Sequence, residues 1–138
     1  MKRYLLDTNV ISEVRKPKPH GAVLLWLREL RGEQAFLSAV TMGELQRGIE
    51  LTRRQDPVKA REIEIWVDQL ENQYDILAMD AACFREYSRL VQRKHSHVVE
   101  DGMIAAIARV HDLTIATRNE TDFRQFDVPL FNPFSVKP

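Results

Sequence analysis

A chain of 138 residues is long enough for one domain around a single core, and 44% hydrophobic with 29% charged residues excludes collagen-like, low-complexity and disordered classes. Twenty basic residues balance 20 acidic ones, so no strong overall field draws the molecule onto nucleic acid or anionic lipid; that work falls to local clusters such as Arg15, Lys16 and Lys18, Arg53 and Arg54, or Arg93 and Lys94. No apolar run approaches the roughly 18 residues of a membrane span, the N-terminus meets Asp7 too early for a signal-peptide core, and the lone Cys83 excludes an intrachain disulfide. The expectation is a single cytoplasmic domain, residues 1–138, with no membrane partner.

Arg3 to Leu6 reads as a short buried strand ending at Asp7-Thr8-Asn9, and Val10 to Arg15 as a short helix stopped by Pro17 and Pro19. Val23, Trp26, Leu27 and Leu30 recur at helical spacing and predict an amphipathic helix closed by Gly32. Ala35 to Leu37 predicts a second strand. Thr41-Met42-Gly43-Glu44 has the spacing of a capping box and predicts a helix from there through about Leu51. Asp56 and Pro57 supply a cap and first-turn proline for a longer helix with Ile63, Trp66, Val67, Leu70 and Tyr74 on its apolar face.

Asp75 to Leu77 reads as strand three, and Asp80 caps a helix carrying Phe84, Tyr87 and Val91. Arg93 to His97 reads as a loop. Glu100-Asp101-Gly102 opens a helix of small residues through Val110, Thr114 to Ala116 forms a fourth strand, Thr117 to Phe126 is turn and short helix, and Leu130-Phe131 is a last edge strand. Short apolar strands alternating with helices predict an α/β fold, a three-layer α/β/α sandwich with a mainly parallel sheet.

In such sheets ligands bind beyond the carboxyl ends of the strands. Asp7 follows strand one and Asp122 lies beyond strand four, while Glu44 and Asp101 are expected in first helical turns; the place of Asp101 depends on tertiary packing. Each acid also admits a purely local role: Asp7, Glu44 and Asp122 as caps, Asp101 as complement to a helix dipole. Carboxylates that share a crevice repel one another and require a cation or raised pKa values. Oxygen ligands without cysteine or a histidine pair point to Mg²⁺ or Mn²⁺ and to metal-assisted phosphoryl transfer.

Other constellations are weaker. His95 and His97 lack a third ligand nearby, His111 suits a helix C-terminus, and Cys83 reads as a small core residue. A receiver domain would need an acidic pair after strand one and a late lysine, and a haloacid-dehalogenase-type phosphatase would need an acid where Asn9 stands.

The segments Leu5-Leu6-Asp7-Thr8-Asn9-Val10-Ile11-Ser12, Ser38-Ala39-Val40-Thr41-Met42-Gly43-Glu44-Leu45, Asp101-Gly102-Met103-Ile104-Ala105-Ala106 and Thr117-Arg118-Asn119-Glu120-Thr121-Asp122-Phe123 together resemble a PIN domain. More narrowly they resemble the VapC toxins of bacterial type II toxin–antitoxin pairs, especially the FitB-like branch, whose closing Phe-Asn-Pro-aromatic is matched by Phe131-Asn132-Pro133-Phe134. The resemblance covers essentially the whole chain. It implies a Mg²⁺-dependent endoribonuclease, with Mn²⁺ as a substitute, that cuts structured RNA such as tRNA or rRNA. It further implies silencing by a VapB-like antitoxin, a homodimer within a larger complex, and DNA contact only through the antitoxin.

Carried onto this sequence, the resemblance makes Asp7, Glu44 and Asp101 the core metal-binding acids, with Asp122 favoured over Asn119 for the fourth position. Thr8 and Asn9 would shape the first turn and Thr41 would orient the Glu44 helix. Arg118 is either a cation for the transition state or a surface or carboxylate-paired arginine. The implied chemistry is in-line attack on phosphorus by a metal-activated water, leaving 5′-phosphate and 3′-hydroxyl ends. The alternative is a non-catalytic PIN-like module that binds RNA or protein. Trp26 and Leu30 would either line an antitoxin groove or pack in the core.

Overall fold

A strand with neighbours on both edges and helices on both faces must be apolar throughout, and Tyr4–Leu6 (β1) is buried at every residue. The computed structural model describes residues 1–91 and 99–135. Around β1 it assembles Ala35–Ser38 (β2), Asp75–Leu77 (β3), Thr114–Ala116 (β4) and Leu130–Phe131 (β5) in the order β3-β2-β1-β4-β5. Every pairing is parallel, in the register Tyr4 beside Ala35 and Leu6 beside Ala116. The chain leaves β1 for β2 on one side and later returns to β4 on the other, so the gap beyond β1 and β4 is the switch point of the sheet.

The two-residue alternation of a strand divides β1 between two cores. Leu5 faces one layer, where it joins Cys83, Ile104, Ile107, Leu113, Ile115, Phe123 and Phe126. Tyr4 and Leu6 face the other, with Ile11, Leu37, Leu70 and Ala116. Leu5 and Leu6 are completely buried, each stabilising the fold by about 1.5–3 kcal/mol. The helices are Thr8–Ile11 (α1), Gly21–Glu29 (α2), Ala39–Arg53 (α3), Pro57–Gln73 (α4), Ala81–Val91 (α5), Val99–His111 (α6) and Glu120–Phe123 (α7), with α1 continuing as a 3₁₀ turn over Ser12–Arg15. The α/β/α sandwich expected from the sequence is the fold observed. Among the described residues no helix is long and apolar enough to cross a membrane.

Most element boundaries agree with the sequence, and the exceptions have local causes. Helix α3 starts at Ala39, before the expected Thr41, because Ser38 leaves β2 with extended backbone and its Oγ accepts the Thr41 N–H at 3.0 Å. Glu44 therefore lies in the second turn rather than the first and does not reach back to close a capping box. Asp56 caps α4 by accepting from Lys59 N, and Asp80 accepts from Cys83 N at the start of α5, as expected. Trp26 is a packing residue: it meets Tyr4 edge-on at 5.0 Å and Phe131 at 5.1 Å, and Leu30 joins the same cluster. Core packing therefore accounts for part of both side chains, which stay half-buried. The expected loop with Arg93, Lys94, His95 and His97 lies outside the described residues.

Gly102 sets the approach of α6 to α5. A Cβ there would stand 2.8 Å from Tyr87 Cε1, closer than carbon atoms tolerate. The small residues that follow, Ala105, Ala106 and Ala108, are all buried, and they bring α6 close to the sheet and its first turn to the switch point.

Candidate active site

Asp7 is the first residue beyond β1, tied into the sheet by its own N–H to Ala116 O at 2.9 Å. It caps α1, accepting the Thr8 N–H at 2.8 Å on Oδ1. Its Oδ2 accepts from Asn9 Nδ2 at 3.1 Å and from the Thr117 hydroxyl at 2.7 Å. The local capping role and the site role thus coincide, since the donors that end β1 and start α1 also fix the carboxylate. Only 5% of Asp7 is exposed, and burial outweighs these three donors, with the charge of Asp122 adding to it, so its pKa lies above the usual range.

Glu44 enters from α3. Its Oε1 lies 3.0 Å from Thr8 Oγ1, which in turn lies 3.1 Å from Thr41 Oγ1, and Ser38 Oγ donates to Thr41 Oγ1 at 3.1 Å. Each hydroxyl has one proton to give. A carboxylate only accepts, so Thr8 gives its proton to Glu44, Thr41 gives to Thr8 and Ser38 gives to Thr41, a single relay polarised toward the carboxylate. The Glu44 pKa is raised, first by burial and then by the charges of Asp7 and Glu100, against the pull of Thr8 and Arg47.

Asp101 stands in the first turn of α6. Sequence left its location open, and packing brings it to the other acids: burial first, then Asp7, Asp122, Glu44 and Glu100, push its pKa up to about 7. Asp122 lies in α7, exposed, near enough for its charge to act on both Asp7 and Asp101. It does not cap the turn from Phe123 to Phe126, as its local role would have it; it lies inside α7, and its N–H donates to Asn119 O at 3.2 Å. Asn119 is the N-cap residue of α7, makes no side-chain cap bond, and gives its backbone N–H to Thr117 Oγ1 at 2.9 Å.

Three participants escape a reading for acidic motifs. Thr117 is wholly buried and bonds the central aspartate; its signal was its position immediately after β4, matching that of Asp7 after β1. Ser38 is the last residue of β2, and it heads the hydroxyl relay. Glu100 adds a negative charge beside Asp101 and pairs with Arg47 at 3.6 Å.

The acids have no such partner. Among the described residues no lysine, arginine or histidine lies within ion-pair distance of Asp7, Glu44, Asp101 or Asp122. Nor do three acidic, histidine or cysteine side chains among them stand close enough together, as placed, to hold a metal ion. The donor set is all oxygen, mutually repelling and deficient in countercharge, which fits a hard divalent cation whose shell is completed by water. From Thr8 and Glu44 a groove runs between the 3₁₀ turn and α3–α4, with Leu45, Ile49, Ile63 and Trp66 inside it and Arg15, Lys16 and Lys59 along it. A separate cleft at the amino edge of β4 and β5 is lined by Glu86, Arg109 and Asp127; there Arg109 is engaged by Glu86 at 2.6 Å.

The family model of the PIN domain matches residues 4–129. The chain belongs to the PIN-domain family. Within it the chain is of the VapC type, being similar to "Toxin FitB" of Neisseria gonorrhoeae, 36% identical over 94% of this chain and 97% of that protein. It is likewise similar to "VapC ribonuclease Y4jK" of Sinorhizobium fredii, 35% identical over 94% of this chain and 96% of that one. Among solved structures, FitAB bound to an IR36 DNA fragment superposes with a TM-score of 0.86 at 32% identity, covering 98% of each chain. This PIN domain therefore carries the acids at the carboxyl edge of an all-parallel sheet, with Asp7 at its centre.

Proposed function

We propose that this PIN-domain chain is a Mg²⁺-dependent endoribonuclease, the toxin of a VapBC-type pair, acting in the cytoplasm on structured RNA such as tRNA or rRNA. The observation that carries the reading is the convergence of Asp7, Glu44, Asp101 and Asp122 on one switch point with no ion-paired cation among the described residues; burial first, and then the neighbouring acids, push the Asp101 pKa up to about 7. Relatives named ribonuclease and toxin support it.

Asp7, Glu44 and Asp101 would hold the ion, with Asp122 at its outer side, and Mn²⁺ would substitute. When bound, the ion supplies Lewis acidity, charge neutralisation and a lowered water pKa. The chain's own part is orientation. Three donors lock both oxygens of Asp7, the hydroxyl relay fixes Glu44 Oε1, and the packing of α6 brings Asp101 beside them. Lys16, Arg15 and Lys59 along the adjoining groove attract the phosphates that the acids would repel.

We assign silencing to a VapB-like antitoxin and DNA contact to the toxin–antitoxin complex, because solved FitAB is described bound to a DNA fragment. A homodimer within that complex is the proposed assembly. The test is cleavage of total tRNA and rRNA by purified, antitoxin-free protein in Mg²⁺, in EDTA, and with Asp7→Asn and Glu44→Gln. Discrete products confined to wild type in Mg²⁺ or Mn²⁺ support the nuclease; folded wild type that cuts nothing favours the non-catalytic module.

A further inference from the structure

The Arg118 side chain is not directed by an acid of the site. Its backbone N–H donates to Asn9 Oδ1 at 3.1 Å, and Asn9 Nδ2 donates to Asp7 Oδ2, so the residue is two hydrogen bonds from the central carboxylate. Its guanidinium instead lies over the ring of Phe134, with Cζ 4.6 Å from the centroid. Phe134 is fixed in turn: its N–H donates to Asn132 Oδ1 at 2.9 Å, Asn132 Nδ2 reaches Glu120 at 3.4 Å, and His20 meets the ring edge-on with the centroids 5.4 Å apart. Glu13, 4% exposed, is near enough to feel the charge of Arg118, which helps, after its bonds to Lys16 and His20, to hold its carboxyl below the usual range. It accepts from His20 N at 2.9 Å and pairs with Lys16 at 3.0 Å.

One side of the guanidinium is thus taken up by an aromatic ring while the residue as a whole stays exposed. An arginine held in this way offers a flat, cationic face to solvent, the kind of surface on which unpaired bases of RNA stack. Stacking also answers an energetic need of this molecule. Its net charge is zero and its cleft is acidic, so phosphate attraction alone gives little grip near the reacting centre.

We propose that Arg118, backed by Phe134, is a stacking subsite for an unpaired nucleobase of the RNA beside the scissile phosphate. This rests on the ribonuclease reading and adds to it a recognition element: a base splayed from the strand, gripped by its face and not by its edge. Arg118 and Phe134 divide the work, the first touching the base and the second positioning the first.

The experiment measures binding of fluorescein-labelled rA12 and of a 12-mer with the same backbone but abasic at every position, in an Asp101→Asn background that keeps the RNA intact. The expected preference for rA12 is about tenfold. Arg118→Lys keeps the charge and loses the plane, and should bring the two affinities within about twofold of each other, as should Phe134→Leu; the abasic affinity should hardly move. Equal affinities in the unmodified background, or a preference untouched by Arg118→Lys, overturn the subsite. If instead Arg118→Lys weakens capture by the antitoxin while the rA12 preference persists, the platform belongs to a protein contact and the proposal falls. Cleavage of RNA by wild type together with equal binding of rA12 and the abasic 12-mer sinks the subsite alone; no cleavage and no RNA binding sink both readings.

Discussion

The Thr117 hydroxyl donates to Asp7 Oδ2 at 2.7 Å across 110 residues of sequence, joining the ends of the two strands that flank the switch point. Thr117→Val removes that donor with almost no change of volume. Asp7 loses one of the interactions that lower its pKa, so the carboxyl should rise further, and a supporting group of this kind is worth about tenfold to a hundredfold in activity or metal affinity. The expected outcome is such a loss of Mg²⁺-dependent cleavage with near-normal melting, and recovery in Thr117→Ser.

Stability without metal should fall as pH rises. Asp101 has an ordinary pKa of 3.8 and a folded one of about 7, so the fold binds its proton more tightly than the unfolded chain does. Below pH 4 both states are protonated and nothing is lost; between 4 and 7 the unfolded chain ionises first and gains; above 7 the full penalty stands. Asp7 and Glu44, also raised, act in the same direction. Thermal melting in EDTA should show the decline, Asp101→Asn should raise the melting temperature at pH 8 but hardly at pH 4, and Mg²⁺ at pH 8 should stabilise wild type more than the variant. A wild-type melting temperature that rises from pH 5 to 8 would contradict this.

Ser38→Ala should destabilise α3 by about 1 kcal/mol through loss of its cap. It also removes the proton that polarises Thr41 and, through Thr8, Glu44. Activity should therefore fall more than stability does, whereas Ser38→Thr, which keeps the hydroxyl, should recover most of both. Chemical denaturation and cleavage rates on the same preparations separate the two effects.

Gly102→Ala sets helix propensity against packing. Alanine favours the helix by about 1 kcal/mol, but its methyl meets Tyr87 Cε1 at 2.8 Å, and overpacking of this kind costs about 1–3 kcal/mol. The net expectation is a lower melting temperature, relieved when Tyr87→Leu clears the ring. Equal or higher stability of the single variant would show that α5 and α6 part easily.

Cys83 is wholly buried and its thiol is raised to about 11, first by burial and then by Asp80. Native protein should resist iodoacetamide at pH 8 for as long as it stays folded and label promptly in denaturant.

What could be read in the sequence follows from where the signals are local. The strand Thr114–Ala116 ends at the polar Thr117, and Asp56-Pro57 states a helix start outright, so these elements were legible. The start of α3 was misplaced because Ser38 and Thr41 are equally good caps by type, and only the extended backbone at Ser38 separates them. Asp7, Glu44 and Asp101 stood out as acids beside strand ends and helix starts, but the union of Asp101 with the others is a matter of how α6 packs. Thr117 stayed hidden because a threonine after a strand is common, and its value comes from a partner 110 residues away. Phe134 was read as part of a closing pattern, and its tie to Arg118 needed coordinates.

Strand β1 has two neighbours on either side, so β3 and β5 at the margins can open and reclose without disturbing the amide of Asp7, held to Ala116 O. The catalytic geometry then has no private route to disorder. Hydrogen exchange at Leu6 and Asp7 should proceed only when the whole domain unfolds, while amides of β5 exchange earlier. Heat or denaturant should therefore disorder the acidic cleft only at the point where the domain itself is lost.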